Sequence, residues 1–227
     1  MKLPFVLAHT AISTYEICPK QAYHRYVAKD LPRGAPSPEM EWGIKVHEAF
    51  EQRIKRGVIL PHNMEGWEKF AMPFDKLKGR VRTEMKLGIW PDGKAADFFA
   101  TGVFCRGKAD VVVLDQAENF NPTRAIIFDW KTGKKREDPT ELELHSLMLK
   151  ATFPSIEKIT GQYVWLKDGQ MGREYDLSHW PAVWQRLTDK ATEIAYAHAT
   201  NFWPPKQGPL CGWCAVKSCE FHPGGRK

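Results

Sequence analysis

Asp110, Asp129 and Lys131 are the residues of this 227-residue chain whose types and spacing point most directly to chemistry. Asp129 and Lys131 are two residues apart in the apolar run Thr123 to Lys131, which reads as a β-strand. Side chains two apart leave a strand on the same face, so an acid and a lysine share one small space. Asp110 stands at the N-terminal edge of a second strand, Ala109 to Asp115, whose run Val111-Val112-Val113-Leu114 predicts burial on both faces. Two carboxylates brought together in such a place repel unless a cation lies between them, and Mg²⁺ or Mn²⁺ prefers oxygen ligands of this kind. A cation held there polarises a phosphate oxygen and acidifies a water, and the lysine orients that water or stabilises developing negative charge. These are the parts of a phosphodiester hydrolase. The competing reading makes both acids strand-end residues and Lys131 the start of a polar Thr132-Gly133 turn, and spacing alone leaves the two evenly balanced.

The elements that must position these residues are also legible. Trp42, Val46, Ala49, Phe50 and Ile54 give Glu41 to Arg56 a helical apolar stripe, with His47 on its inward face beside Phe50 and Ile54. Taken by itself, His47 reads as a core histidine. Arg80 to Leu87 alternates as a strand, with Val81, Thr83, Met85 and Leu87 on one face and Arg82, Glu84 and Lys86 on the other. That alternation favours Glu84 on a solvated, charge-paired face over Glu84 in a catalytic site. Asp138 and Glu141 predict a capping box around Pro139 at the first position of a helix. Leu142, Leu149 and Phe153 help supply its apolar face, and Glu143 and His145 fall near the catalytic strand. Lys134, Lys135 and Arg136 form a basic run just beyond that strand, suited either to solvent or to a phosphate backbone.

Gly107-x-x-Asp110 followed by Asp129-x-Lys131-Thr132-Gly133 resembles motifs II and III of the PD-(D/E)XK nuclease superfamily, in its RecB-like exonuclease branch. Ser13 to Tyr26, with Cys18-Pro19, Tyr23 and Tyr26, is similar to the opening helix of that branch, and Gly43-x-x-x-His47-Glu48 is similar to its motif I. The C-terminal cysteines match the iron-sulfur members. The resemblance implies metal ligation by His47, Asp110, Asp129 and the backbone carbonyl of Trp130, with Lys131 as the catalytic lysine. It also implies DNA as the partner, Mg²⁺ or Mn²⁺ as the cofactor, and an exonuclease of recombination, repair or CRISPR spacer acquisition, with compact phage-encoded versions. The chain departs from the Gln-x-x-x-Tyr helix of that branch, since the corresponding stretch offers Glu143 and Leu147. The competing class is a non-catalytic DNA-binding module with a structural metal centre, and a third is a zinc-stabilised interaction protein.

Cys211, Cys214 and Cys219 form C-x2-C-x4-C, and Cys18 is far away in sequence, before a proline-started helix. Cys105 lies in an apolar strand and reads as core filling. The resemblance makes Cys18, Cys211, Cys214 and Cys219 the ligands of a 4Fe-4S cluster. Zinc is the alternative, because Cys211, Cys214, Cys219 and His222 suffice for a local Cys₃His site. Closing so long a loop costs on the order of 5 kcal/mol, against the roughly 10 to 16 kcal/mol that a structural metal contributes. A metal centre therefore suffices to pin the two chain ends together, and a disulfide is the weaker reading in a chain without a secretory signal.

The expected architecture is one α/β nuclease domain, a central mixed β-sheet flanked by helices (a restriction-endonuclease-like core) over about 40-180. A small cysteine-rich lobe from about 10-30 and 200-223 joins the termini. Pro32 to Pro38 reads as a proline-glycine loop, Trp90 to Ala96 as a turn, Trp203 to Pro209 as a boundary, and residues 180 to 202 as a long amphipathic helix. There is no repeat and no membrane-spanning run, and Leu3 to Ala8 is too short and proline-broken for a signal peptide, so the expected location is cytoplasmic, bacterial or of a phage host. A net charge of +6 favours an anionic partner. Among nine tryptophans and six tyrosines, sequence alone selects no base-stacking residue.

Overall fold

The computed structural model describes residues 2–31, 36–77, 80–116 and 121–225; the expected Pro32 to Pro38 loop lies outside the described residues over 32–35. Two compact units divide the chain, one over Ala35–Val183 and one formed by Met1–Gly34 with Trp184–Lys227.

The terminal unit opens with α1 (His9–Ile17), which stops at Cys18 in an extended conformation. Pro19 causes the stop, because its ring excludes helical geometry from the residue before it. A new turn, α2 (Pro19–Ala22), then starts on Pro19 itself and runs into a π-helical segment, Tyr23–Ala28. The stretch Ser13 to Tyr26 that resembles an opening helix is thus broken at Cys18, with the expected proline-started helix beginning at Pro19. Trp203 packs on Tyr15 and Tyr23, with ring centroids 6.0 and 5.6 Å apart.

In the sheet unit, α3 (Pro38–Arg56) begins earlier than the apolar stripe required. The Ser37 hydroxyl accepts from the Met40 N–H at 3.3 Å, Pro38 occupies the first turn, and Gly57 ends the helix in the left-handed region at φ 70°. The short α4 (Glu68–Ala71) follows. β1 (Val81–Ile89), β2 (Cys105–Leu114) and β3 (Arg124–Lys131) form an antiparallel meander, and α5 (Thr140–Thr152) crosses over to β4 (Lys158–Trp165), parallel to β3. The two-residue strands β5 (Gln170–Met171) and β6 (Tyr175–Asp176) pair antiparallel with β4. The division between the units falls inside the last helix, α6 (Trp180–Ala199). The chain thus has a mixed α/β fold with a central mixed sheet flanked by helices.

One sheet face carries Val111, Val113 and Trp130 into a core with Val46 and Phe50 of α3. α5 packs across the other side, where Gly107 is obligatory: a Cβ there would meet the His145 ring and the Met148 methyl at 2.8 Å. Cys105 is buried as expected, and burial pushes its thiol up to about 12.

Arg53 is the buried cation that locks α3 to the next segment. Its Nε donates to Glu68 at 2.8 Å and its two terminal nitrogens donate to Asp75 at 2.8 and 2.9 Å, while Glu68 also accepts from the Leu60 N–H. Arg53→Ala leaves two carboxylates facing each other, so urea denaturation is expected to show a loss of about 2 kcal/mol, the scale of charge-assisted hydrogen bonds. Arg53→Lys, which lacks the planar fork, recovers only part of it.

Candidate active site

The paired ladder of β2 and β3 stops at Val111 opposite Phe128. One step further, the Asp110 carboxylate replaces a backbone acceptor: its Oδ2 accepts the Trp130 N–H at 2.8 Å, and its Oδ1 lies 3.1 Å from His47 Nδ1. Core packing sets this geometry. The Trp130 ring stacks on Phe50 of α3 at 4.3 Å and 27°, which places His47, one turn earlier on that helix, over Asp110. Trp130 therefore spends its ring on the core and meets the site through its backbone.

Glu84 joins this pair from the ribbon face that also carries Lys86 and Lys108. Thr83 pairs with Val111 and Met85 with Ala109, but Glu84 between them takes φ 53°. Left-handed backbone at a glutamate is strained by about 1–3 kcal/mol. Its side chain, only 13% exposed, reaches His47 Nδ1 at 3.8 Å and forms an ion pair with Lys108. The charge pairing expected of Glu84 is present, but the solvated face is not. One donor atom from each of His47, Glu84 and Asp110 lies within 4.8 Å of the others. Burial works against a charged His47, yet Asp110 and Glu84 override it and lift its pKa to about 10; His47 and Lys108 in turn hold Glu84 below the usual carboxylate range despite its own burial.

Asp129 and Lys131 leave β3 on the same side, as their spacing required. Lys131 Nζ lies 2.8 Å from Asp129 Oδ1 and donates to Glu141 Oε2 at 2.6 Å. Burial and the neighbouring Asp110 charge raise the Asp129 pKa well above the ordinary value. Lys131 is shifted upward too, because Asp129 and Glu141 outweigh its burial. Although Lys131 is at ion-pair distance, buried Asp129 Oδ1 receives no aligned hydrogen bond. A buried carboxylate with only an ion-pair contact at this oxygen, beside a His, Glu, Asp cluster, fits a hard divalent cation.

Glu141 is the site residue that sequence reasoning placed elsewhere. The capping box does not form: Asp138 Oδ1 accepts from the N–H and hydroxyl of Thr140, and Glu141 turns to Lys131 instead. Its position in the first turn of α5, the next helix after β3 and Lys131, was the available signal. Glu143 bonds His179 Nε2 at 2.9 Å, and His145 is buried against Gly107. Lys134, Lys135 and Arg136 are exposed, with Lys135 paired to Glu137 at 3.2 Å.

In the terminal unit all four candidate cluster cysteines are free thiols. Backbone N–H groups of Lys206 and Gly208 point at the sulfurs of Cys18 and Cys211, at 3.4 and 3.3 Å. The Lys20 ammonium, 3.0 Å from Glu220, lies in the field of both Cys18 and Cys219. The Cys18–Lys20 turn thus meets Lys206 and, through Lys20, Glu220 next to Cys219. Among the described residues, neither Cys18 with Cys211, Cys214 and Cys219 nor the last three with His222 brings three donor atoms within 4.8 Å of one another.

The sequence profile of the PD-(D/E)XK nuclease superfamily matches residues 6–219. Among curated proteins no sequence matches. Among solved structures, a "Putative exonuclease" from Eubacterium rectale is 11% identical, with 92% of this chain and 86% of that one covered and a TM-score of 0.53. The crystal structure of SSO0001 is 16% identical over 97% of this chain and 88% of that one, with a TM-score of 0.46.

Proposed function

The chain belongs to the PD-(D/E)XK nuclease superfamily, and on that premise we propose that it is a divalent-metal-dependent DNA exonuclease of the RecB-like, iron-sulfur kind. The observation that carries the catalytic reading is the convergence of His47, Glu84 and Asp110 within 4.8 Å, from three separate elements. A structural binding module has no use for strained Glu84 or for a carboxylate buried as deeply as Asp129 beside Asp110.

His47, Asp110, Asp129 and the Trp130 carbonyl would hold Mg²⁺ or Mn²⁺, with Glu84 completing the oxygen-rich side. When bound, the cation supplies Lewis acidity to a phosphate oxygen and lowers the pKa of a water. Ligation needs the neutral imidazole, so His47 would give up the proton it holds between Asp110 and Glu84. Lys131 stays an ammonium, aimed by Asp129 and Glu141, and offers its protons to the attacking water or the scissile phosphate. Asp110 holds its orientation through the Trp130 N–H. Lys134, Lys135 and Arg136 are assigned to the DNA backbone.

Cys18, Cys211, Cys214 and Cys219 would hold a 4Fe-4S cluster, a structural clasp between the two chain ends. The two backbone N–H groups directed at Cys18 and Cys211 support this, since such bonds tune iron-sulfur thiolates. Free thiols suit a cytoplasmic setting, and no described helix is long and apolar enough to cross a membrane. The exonuclease assignment rests on the RecB-like motifs, and it accords with the name of the Eubacterium rectale protein that shares the fold.

End-labelled linear DNA, single- and double-stranded, together with a closed circle, tests the assignment. With Mg²⁺ or Mn²⁺ the linear substrates are expected to lose label as mononucleotides or short fragments, while the circle survives and chelator stops the reaction. Cutting of the circle would replace exonuclease with endonuclease. Binding without cleavage under every metal would leave the DNA-binding module.

A further inference from the structure

The site-side face of the β1–β2 ribbon continues beyond Glu84 into a cationic and aromatic strip. Lys108 pairs with Glu84, and Lys86 stands opposite Lys108 in register. Two residues further along, Arg106 stands opposite Gly88. Register partners share a face, so these cations lie on one side of the ribbon. Beyond them comes a turn bearing Phe98 and Phe99. Lys86 Nζ sits over the Phe99 ring at 4.7 Å and the Arg106 guanidinium over the Phe98 ring at 5.0 Å, and the two rings meet edge to face at 5.0 Å.

Phe99 is 68% exposed. A large apolar ring left in water is unfavourable, so an exposed aromatic flanked by cations marks a contact surface. The turn is also rigidly built. Asp97 Oδ1 accepts from the Phe99 N–H at 2.7 Å, the Asp97 carbonyl accepts from Ala100 at 3.1 Å, and Ala96 and Phe104 donate to Gly88 and Ile89 at 2.9 Å. The rings are held out in advance, and no loop ordering opposes their use.

Cations alternating with π-faces fit a chain that alternates phosphates with unstacked bases. Single-stranded DNA offers this; in a duplex the bases already stack on one another. From Glu84 to Gly88 the ribbon extends about 13 Å, so the strip begins at the acids and leads away from them. We propose that this face is a track for single-stranded DNA, with Phe99 stacking on a base and Lys86 and Arg106 holding flanking phosphates. The proposal rests on the nuclease reading, because the strand it guides ends at the metal site.

The test is fluorescence anisotropy with labelled oligothymidylate and a blunt duplex in Ca²⁺ buffer, alongside cleavage in Mg²⁺. Stacking of one base is worth about 1–3 kcal/mol, so Phe99→Ala is expected to weaken single-strand binding about tenfold or more. Duplex affinity should stay within twofold, Phe99→Trp should bind at least as well as the parent, and circular dichroism should be unchanged. Lys86→Gln and Arg106→Gln should each flatten the salt dependence by about 0.7 log units for a single strand. Single-strand affinity of Phe99→Ala within twofold of the parent, or a parent that binds no single strand, overturns the track. If the parent cleaves DNA while Phe99→Ala binds normally, the track fails and the nuclease reading stands. If binding depends on Phe99 but no metal supports cleavage, the nuclease reading fails and the track stands. Preference for an acidic peptide over oligothymidylate would make the strip a protein contact and overturn it.

Discussion

Asp129→Asn and Lys131→Ala are each expected to lower DNA cleavage by about 10³-fold or more, roughly 4 kcal/mol of lost transition-state stabilisation. Both proteins should remain folded, for different reasons. Asp129 is buried beside Asp110, so replacing it with a neutral isostere relieves repulsion and desolvation, and thermal unfolding is expected to rise slightly even as activity vanishes. Lys131→Ala removes an ammonium that joins Asp129 to Glu141, but it leaves the Phe50–Trp130 stack and the Asp110 bond to the Trp130 N–H intact. Asp110→Asn belongs to the same series, and there the asparagine carbonyl still accepts from Trp130. Single-turnover cleavage with Mg²⁺ or Mn²⁺, beside urea denaturation of the same samples, separates lost chemistry from lost fold. Activity near the parent's in all three variants would sink the catalytic assignment.

Glu141 extends this experiment. Glu141→Gln keeps a hydrogen-bond acceptor but removes one of the two charges that orient Lys131. A partial loss of turnover, smaller than that of Lys131→Ala, is the expected signature of a positioning residue.

Cys18→Ala is expected to strip colour, iron and sulfide from protein purified without oxygen, and to lower thermal stability by several degrees. The reason lies in connectivity: Cys18 sits at the hinge between α1 and α2, while Cys211, Cys214 and Cys219 follow almost 200 residues later. A clasp between them restrains both ends at once. A local zinc site built with His222 would survive Cys18→Ala and fail instead on His222→Ala. Elemental analysis that finds one zinc and no iron in unoxidised protein would overturn the cluster and leave the nuclease centre untouched.

Local rules made much of β3 readable. The period of two put Asp129 and Lys131 on one side of β3, and Pro19 announced the start of α2. His47 was readable only as an inward-facing residue; whether it meets apolar carbon or Asp110 depends on what α3 packs against. Glu84 and Glu141 were misplaced because local rules describe regular elements. Alternation gives Glu84 its charged face but not its cover by His47 of α3, and a first-turn glutamate forgoes its cap when a half-buried lysine lies 2.6 Å away.

The order of residue types along the chain determined the superfamily motifs, the α/β pattern and the supply of acids, lysine and thiols. The tertiary structure alone decided which acids converge on His47, that Lys131 is shared between Asp129 and Glu141, and that one phenylalanine among many aromatics stands exposed among cations. The physical reason is range. Periodicity and capping act over a few residues, whereas desolvation and charge act through space between α3, β1, β2, β3 and α5, which only the packing of Phe50 on Trp130 and of α5 across the sheet brings together.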